Sequence, residues 1–243
     1  MPNWVQNSIS LYGEEKDIEK VLSLVKSEEY EFDFNKIMPM PKELNIQSSS
    51  VNELAIICYL SNKLTIPFEK LDKHYLQYVT NMFDNNWART LYEERLPDRK
   101  ENFDELYELG KICCENIKKY GHIDWYGWCR DNWGTKWNAS EVYIDNNVIT
   151  FQTAWCVPDP IFEAFAYICD RYNVTFEGEY ADENMGYNSG CISSECGITE
   201  YEDDSHEALK AYLELWGDNE CIEEDENGNL IRHTCETCPH KCY

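Results

Sequence analysis

The residues best suited to chemistry lie late in the chain, where CETCPHKC sets Cys235, Cys238, His240 and Cys242 close together. Cys235 and Cys238 have the C-x2-C spacing at which two thiolates hold one Zn²⁺, with His240 and Cys242 as adjacent donors. Zinc takes four ligands in a tetrahedron, and so short a span makes four local ligands awkward. Cys191, Cys196 and Cys221 are therefore candidates to complete the set. The expected cofactor is a structural zinc ion; free or partly oxidised thiols are the other reading of the same residues. No HExxH, GxSxG or GxGxxG occurs, and Gly134-Thr135-Lys136 lacks the upstream glycine of a phosphate loop. No enzymatic activity is expected, and no residue is assigned a catalytic role.

A second constellation is DWYGWCRDNWGTKW, residues 124–137, which holds four of the eight tryptophans. Each large aromatic buries about 150–250 Å², so such a block is either the centre of a core or a recognition surface. Trp125, Trp128, Cys129, Asn132, Trp133 and Lys136 follow helical spacing, and Gly134 is placed to end that helix. Arg130 and Lys136 beside aromatic faces suit a planar or anionic ligand through stacking and cation–π contacts. The candidate binding residues are Trp4, Asn7, Trp125, Arg130, Asn132, Trp133, Lys136 and Trp155. Of these, Trp4, Trp125, Trp133, Lys136 and Trp155 would form a pocket against the sheet for a nucleotide or other anion.

The chain has 46 acidic and 21 basic residues and a net charge of −25 at pH 7, which opposes direct contact with nucleic-acid phosphates. From Glu200 to Glu226 twelve acids face Lys210 alone. Such a run is a solvated surface, or a face that meets a basic partner and mimics nucleic acid. Glu223, Glu224, Asp225 and Glu226 are the candidate partner-binding residues. No apolar run reaches the length of a membrane span and MPNWVQNS is not a secretory signal, so a cytoplasmic protein is expected. In that compartment Cys58, Cys113, Cys114, Cys129, Cys156 and Cys169, set in apolar patterns, read as small buried hydrophobes.

The elements that must position these residues follow from periodicity. Residues 3–12 alternate as a half-buried strand, and 14–27 carry Ile18, Val21, Leu22 and Val25 at helical spacing. Residues 51–63, 67–83 and 102–120 read as helices. Residues 139–144 and 148–155 alternate around Asp145-Asn146-Asn147, a hairpin turn. A helix opens at Pro158–Pro160, a strand runs through 174–180, a short strand lies near 198–201 and a helix spans 205–216. The order gives an α+β fold, a ferredoxin-like split βαβ antiparallel sheet. The expected organisation is a ferredoxin-like domain over 1–217, a large helical insertion at about 45–122 and an acidic, Cys-rich C-terminal extension over 218–243.

Five separated motifs, MPNWVQNSI, FDFNKIMPMP, WCRDNWGTKW, FQTAWCVPDP and NMGYNSG, occur in an order that resembles the YubB-like ferredoxin-like domain family of phages, plasmids and other mobile elements. The resemblance implies a ferredoxin-like fold without an iron–sulfur cluster and with no established activity. It also frames the functional expectation: a non-enzymatic accessory protein in the bacterial host cytoplasm that binds and inhibits a host protein. The expected partner is a basic, nucleic-acid-binding defence component, so that the protein acts as an anti-CRISPR or nucleic-acid mimic. A small-molecule or nucleotide-binding protein, with or without enzymatic activity, is the alternative.

Overall fold

The computed structural model describes residues 2–61 and 103–233 of the 243-residue chain. These residues fall into two compact units, one built from 1–39 and 129–243 and the other from Met40–Trp128.

The first unit is organised around β1 (Trp4–Tyr12), whose Val5, Asn7, Ile9 and Leu11 are buried while the intervening residues are not. Period-two alternation of this kind is what a strand with one packed face requires. Helix α1 (Glu15–Val25) follows, starting on acids that suit the helix dipole and burying Val21 and Val25. A single turn, α2 (Phe34–Ile37), is capped by the Asp33 side chain, which accepts from Asn35 N at 2.9 Å.

After the second unit the chain forms β2 (Ser140–Asp145) and β3 (Val148–Ala154), joined at Asn146 with φ 53°. The helix at Asp159–Asp170 carries proline in its first turn, and β4 (Thr175–Asp182) follows it. The sheet continues through β5 (Ser189–Ser193) and β6 (Gly197–Glu200), and a helix at His206–Trp216 begins at an N-cap, Ser205, that accepts from Ala208 N. The last elements are two short strands, β7 (Ile222–Glu224) and β8 (Leu230–Arg232).

The six strands lie in the order β2-β3-β1-β4-β5-β6, every neighbouring pair antiparallel. β1 and β2 are therefore parallel, with β3 inserted between them, which is the split βαβ arrangement expected from the sequence. One face carries an aromatic core in which Phe32 lies 5.1 Å from Phe151 and 5.3 Å from Phe165, and Phe165 stacks on Phe176 at 5.2 Å. Each such pair adds about 0.5–1.5 kcal/mol beyond simple burial. The other face is covered over β4 and β5 by the His206–Trp216 helix, whose Trp216 indole N–H donates to Ala181 O at 3.0 Å.

In the second unit a 3-10 turn at Lys42–Leu44 precedes the described α-helices, α3 (Ser50–Ser61), α4 (Phe103–Tyr120) and the start of α5 (Trp125–Asn132). The two later helices, both in the first unit, are α6 (Asp159–Asp170) and α7 (His206–Trp216). Ile56, Cys113 and Ile117 form the local core of the second unit. α3 and α4 approach closely at Gly110, where a Cβ would collide with the Ala55 carbonyl. Asn52 and Asn116 fasten the connecting segments: the Asn52 amide donates to Asp124 Oδ2 at 3.0 Å, and that of Asn116 to Glu43 O and Ile123 O. The expected helix at 67–83 lies outside the described residues. Among the described residues no helix is long and apolar enough to cross a membrane.

Candidate functional site

The tryptophan block divides at Gly134. Before it, α5 runs as the spacing predicts; at Gly134 φ is +75°, and a Cβ there would lie 2.8 Å from Pro160 Cδ. Glycine suits both demands, a left-handed backbone and a close neighbour. Trp133, just ahead of the break, is buried: its ring meets Phe34 edge-on at 5.8 Å, and its indole N–H donates to Met38 O at 2.9 Å. The structure thus places this pocket candidate in the core. Trp128 is buried too, Trp125 belongs to the other unit and stands edge-on to Tyr126, and Asn132 is half-buried. Arg130 is exposed.

Beyond Gly134 the chain turns toward the end of the sheet. Thr135 is buried and donates its hydroxyl to Ala154 O at 2.9 Å. This anchors Lys136 with its Nζ 4.2 Å from the centre of the Trp137 ring and 5.0 Å from that of Trp155. Trp4 lies 6.1 Å from Trp137, with the two rings tilted by 35°. Three of the expected pocket residues, Trp4, Lys136 and Trp155, are thereby brought together, joined by Trp137. Helical spacing carried past Gly134 skips Trp137, which is why the sequence does not single it out. The glycine is the signal that the spacing stops there.

Trp155 has an unusual backbone, with φ of +70°. For a bulky residue this is a genuine outlier, and the surrounding bonds hold it. Its N–H donates to Asn3 O at 2.9 Å, and its carbonyl accepts from Asn188 Nδ2 at 3.1 Å. The Asp182 carboxylate accepts from Asn3, Asn184 N and Asn188, so one buried acid ties the N-terminal segment to the β4–β5 loop. The same turn corrects one expectation. The strand ends at Ala154, and Cys156, expected to be buried, is exposed because the chain has left the alternating register.

Asn7 is fully buried in β1, where its amide donates to Val5 O and to Thr153 Oγ1 at 3.1 Å. It serves the sheet interior and presents nothing to a ligand at the surface. Cys58, Cys113, Cys129 and Cys169 are buried as expected, while Cys114 is half-buried. Burial pushes the Cys58 and Cys114 thiols up to about 11 and those of Cys113 and Cys169 up to about 12, so they remain neutral packing groups at physiological pH.

Of the proposed metal ligands, Cys191 lies in β5, Cys196 is exposed in the turn before β6, and Cys221 is half-buried ahead of β7. Among the described residues no group of three or more His, Cys, Asp or Glu side chains is arranged to hold a metal ion. Cys235, Cys238, His240 and Cys242 lie outside the described residues.

The acidic segment forms a β7–β8 hairpin fastened to the first unit. Arg232 pairs with Asp204 at 2.8 Å and donates to the Tyr187 hydroxyl and Met185 O, and Leu230 N donates to His206 Nδ1. Glu223, Glu224 and Glu226 are exposed, Glu223 lying 3.0 Å from His233. Asp225 has a different job: its carboxylate accepts from Asn227 N, Asn229 N and Asn229 Nδ2, forming the turn, and these bonds hold its pKa below the usual carboxylate value.

The hairpin's first strand is continuous with α7 and the sheet in a wider likeness. Residues 132–227 match the family model of the ferredoxin-like domain in Api92-like protein. The Api92-like match covers less than half of the chain, from the end of α5 through Lys136, the β2–β3 hairpin, α6, β4 to β6 and α7 into the acidic hairpin. Its description names a fold and no activity. Among solved structures, the chain is similar to protein api92 from Yersinia pseudotuberculosis, with 10% identity, 83% of this chain and 99% of that chain covered, and a TM-score of 0.34. No curated protein matches.

Proposed function

We propose that this chain is a non-enzymatic accessory protein of a phage or other mobile element, which binds a basic host protein and inhibits it. The observation that carries the reading is the acidic hairpin: Glu223, Glu224 and Glu226 are exposed on a turn built by Asp225 and fastened through Arg232. Charges held on a fixed framework lose less conformational entropy on binding than charges on a floppy tail. In a chain of net charge −25 they would steer a basic surface into contact, with a rate that falls as salt rises. The mobile-element setting and the inhibition of a defence component rest on the resemblance of the separated sequence motifs to the YubB-like family.

Affinity purification from a bacterial host, with bound proteins identified by mass spectrometry, tests the reading. A basic partner that is recovered with the wild-type chain, released by salt and lost from a Glu223→Gln, Glu224→Gln, Glu226→Gln variant supports it. A partner retained by that variant and insensitive to salt sinks it. The structural zinc proposal for the tail cysteines has its own test: protein purified without chelators should carry zinc, and less than about half an equivalent rejects the site.

A further inference from the structure

We infer that the docking surface extends from the acidic hairpin to the exposed rims of Trp137 and Trp155, so that its occupant is a basic polypeptide segment that also carries apolar side chains. The inference rests on the reading of the hairpin as a docking element and names what sits beside its charge.

The two patches share one end and one face of the sheet. In β1 the buried Val5, Asn7, Ile9 and Leu11 point into the aromatic core, so the alternate residues, Trp4 and Ser8 among them, point to the opposite face. Ser8 is paired with Glu179, whose carboxyl lies against Glu214 of α7, which makes this the α7 face. Trp137 lies 6.1 Å from Trp4, and Trp155 is joined to it across Lys136. The β4–β5 loop leads from these rings to the hairpin. Glu183 N donates to Trp4 O at 2.8 Å and Asn188 Nδ2 to Trp155 O at 3.1 Å, while Met185 O and the Tyr187 hydroxyl accept from Arg232 at 3.1 and 2.9 Å. Neighbouring Cα atoms are about 3.8 Å apart, so the loop residues that hold the tryptophans lie one or two steps of chain from those that hold the hairpin. A standard interface covers about 800 Å² on each partner and spans both patches.

The side chains turned outward are apolar as well as acidic. Arg232 turns toward Asp204 and Tyr187, so its strand neighbour Ile231 points the other way, 46% exposed and paired with Glu223. Lys136 is packed against the rings of Trp137 and Trp155 and braces them, yet the two indoles are still 37% and 39% exposed. Bonds to Asn3 and Asn188 keep Trp155 at its left-handed φ of +70°, a conformation that persists only where the surroundings over-determine it. Single apolar residues on a surface are ordinary; tryptophans grouped beside fixed charge have the composition of an interface centre and its rim. Charge also selects the occupant. Two copies of a chain of net charge −25 repel each other, whereas a basic segment is drawn to the hairpin.

Fluorescence anisotropy with two dye-labelled probes tests the surface on the full-length protein: an amphipathic Lys/Leu peptide and a Lys/Ser peptide of equal length and charge. The Lys/Leu peptide should bind about ten-fold tighter. Trp137→Ala, Ile231→Ser and Trp155→Asn, the last chosen because asparagine tolerates a left-handed backbone, should each reduce that preference about three-fold and leave the Lys/Ser affinity unchanged. The Glu223→Gln, Glu224→Gln, Glu226→Gln variant should weaken both peptides alike. Equal binding of the two peptides by the wild type overturns the inference and leaves the charge reading of the hairpin standing. So does a full preference retained by all three folded single variants. If the triple variant binds both peptides like the wild type, the hairpin reading fails and the inference with it. Absence of Lys/Leu binding at about millimolar concentration also overturns the inference.

Discussion

On the helix-packed face of the sheet, Trp133 is 4% exposed and donates its indole N–H to Met38 O. A few residues on, Trp137 is 37% exposed and faces an ammonium. Both belong to one dense aromatic run, so aromatic density does not decide their fates. The backbone at Gly134 does, by ending the helix and sending Thr135, Lys136 and Trp137 toward the end of the sheet. Composition therefore says how much aromatic surface must be placed, and the local turn says where.

The largest test of this contrast is truncation on each side of the glycine. Trp133→Ala should cost about 3–5 kcal/mol in denaturant unfolding, as for other buried large aromatics. Trp155→Ala should cost under about 1 kcal/mol, and Trp155→Gly, which relieves the left-handed strain, should match or exceed wild-type stability. Equal losses at Trp133 and Trp155 would erase the distinction.

Gly134→Ala comes next, with an expected loss of about 1–3 kcal/mol from positive φ and the approach of Pro160. If the melting temperature of that variant is unchanged, the pivot is less demanding than its geometry indicates.

The smallest effect belongs to the second face beneath α7. Desolvation there, aided by Glu214, raises the Glu179 pKa above its ordinary 4.5, while the Tyr201 hydroxyl, bonded at 3.0 Å, pulls the other way. A carboxyl raised by folding contributes stability that is full below its unfolded pKa and lost as pH rises through the folded one. Wild-type stability should therefore decline as pH climbs above about 4.5, and Glu179→Gln should flatten that decline. Parallel pH profiles for the two proteins would show that this face is not penalised by the ionised acid.

The long alternating segments are legible from sequence. β1, β3 and β4 carry several repeats of period two, and the split βαβ order follows from them. β5 is not legible, because five residues, SGCIS, give barely two alternations and include a cysteine that invites a chemical reading instead. The β7–β8 hairpin is hidden for the same reason: three-residue strands have no measurable period, and the acids that mark the segment suggest solvent, not pairing. Of the candidate pocket, the residues whose neighbours lie far along the chain cannot be sorted from sequence. Nothing local distinguishes Trp133 from Trp155; the difference lies in Phe34 and Met38 on one side, and Asn3 and Asn188 on the other.

The central position of β1 has a consequence for the order in which the molecule is made. It pairs along both edges, with β3 at 148–154 and β4 at 175–182, yet the ribosome delivers it before either. At about 5–20 residues per second, its first partner emerges roughly seven to thirty seconds after it. During that interval the strand has no sheet to join, while the intervening Met40–Trp128 unit emerges as one continuous stretch. Closure of the sheet is thus a late event of synthesis, and a nascent chain stalled before residue 148 would still expose the edges of β1 to chaperones.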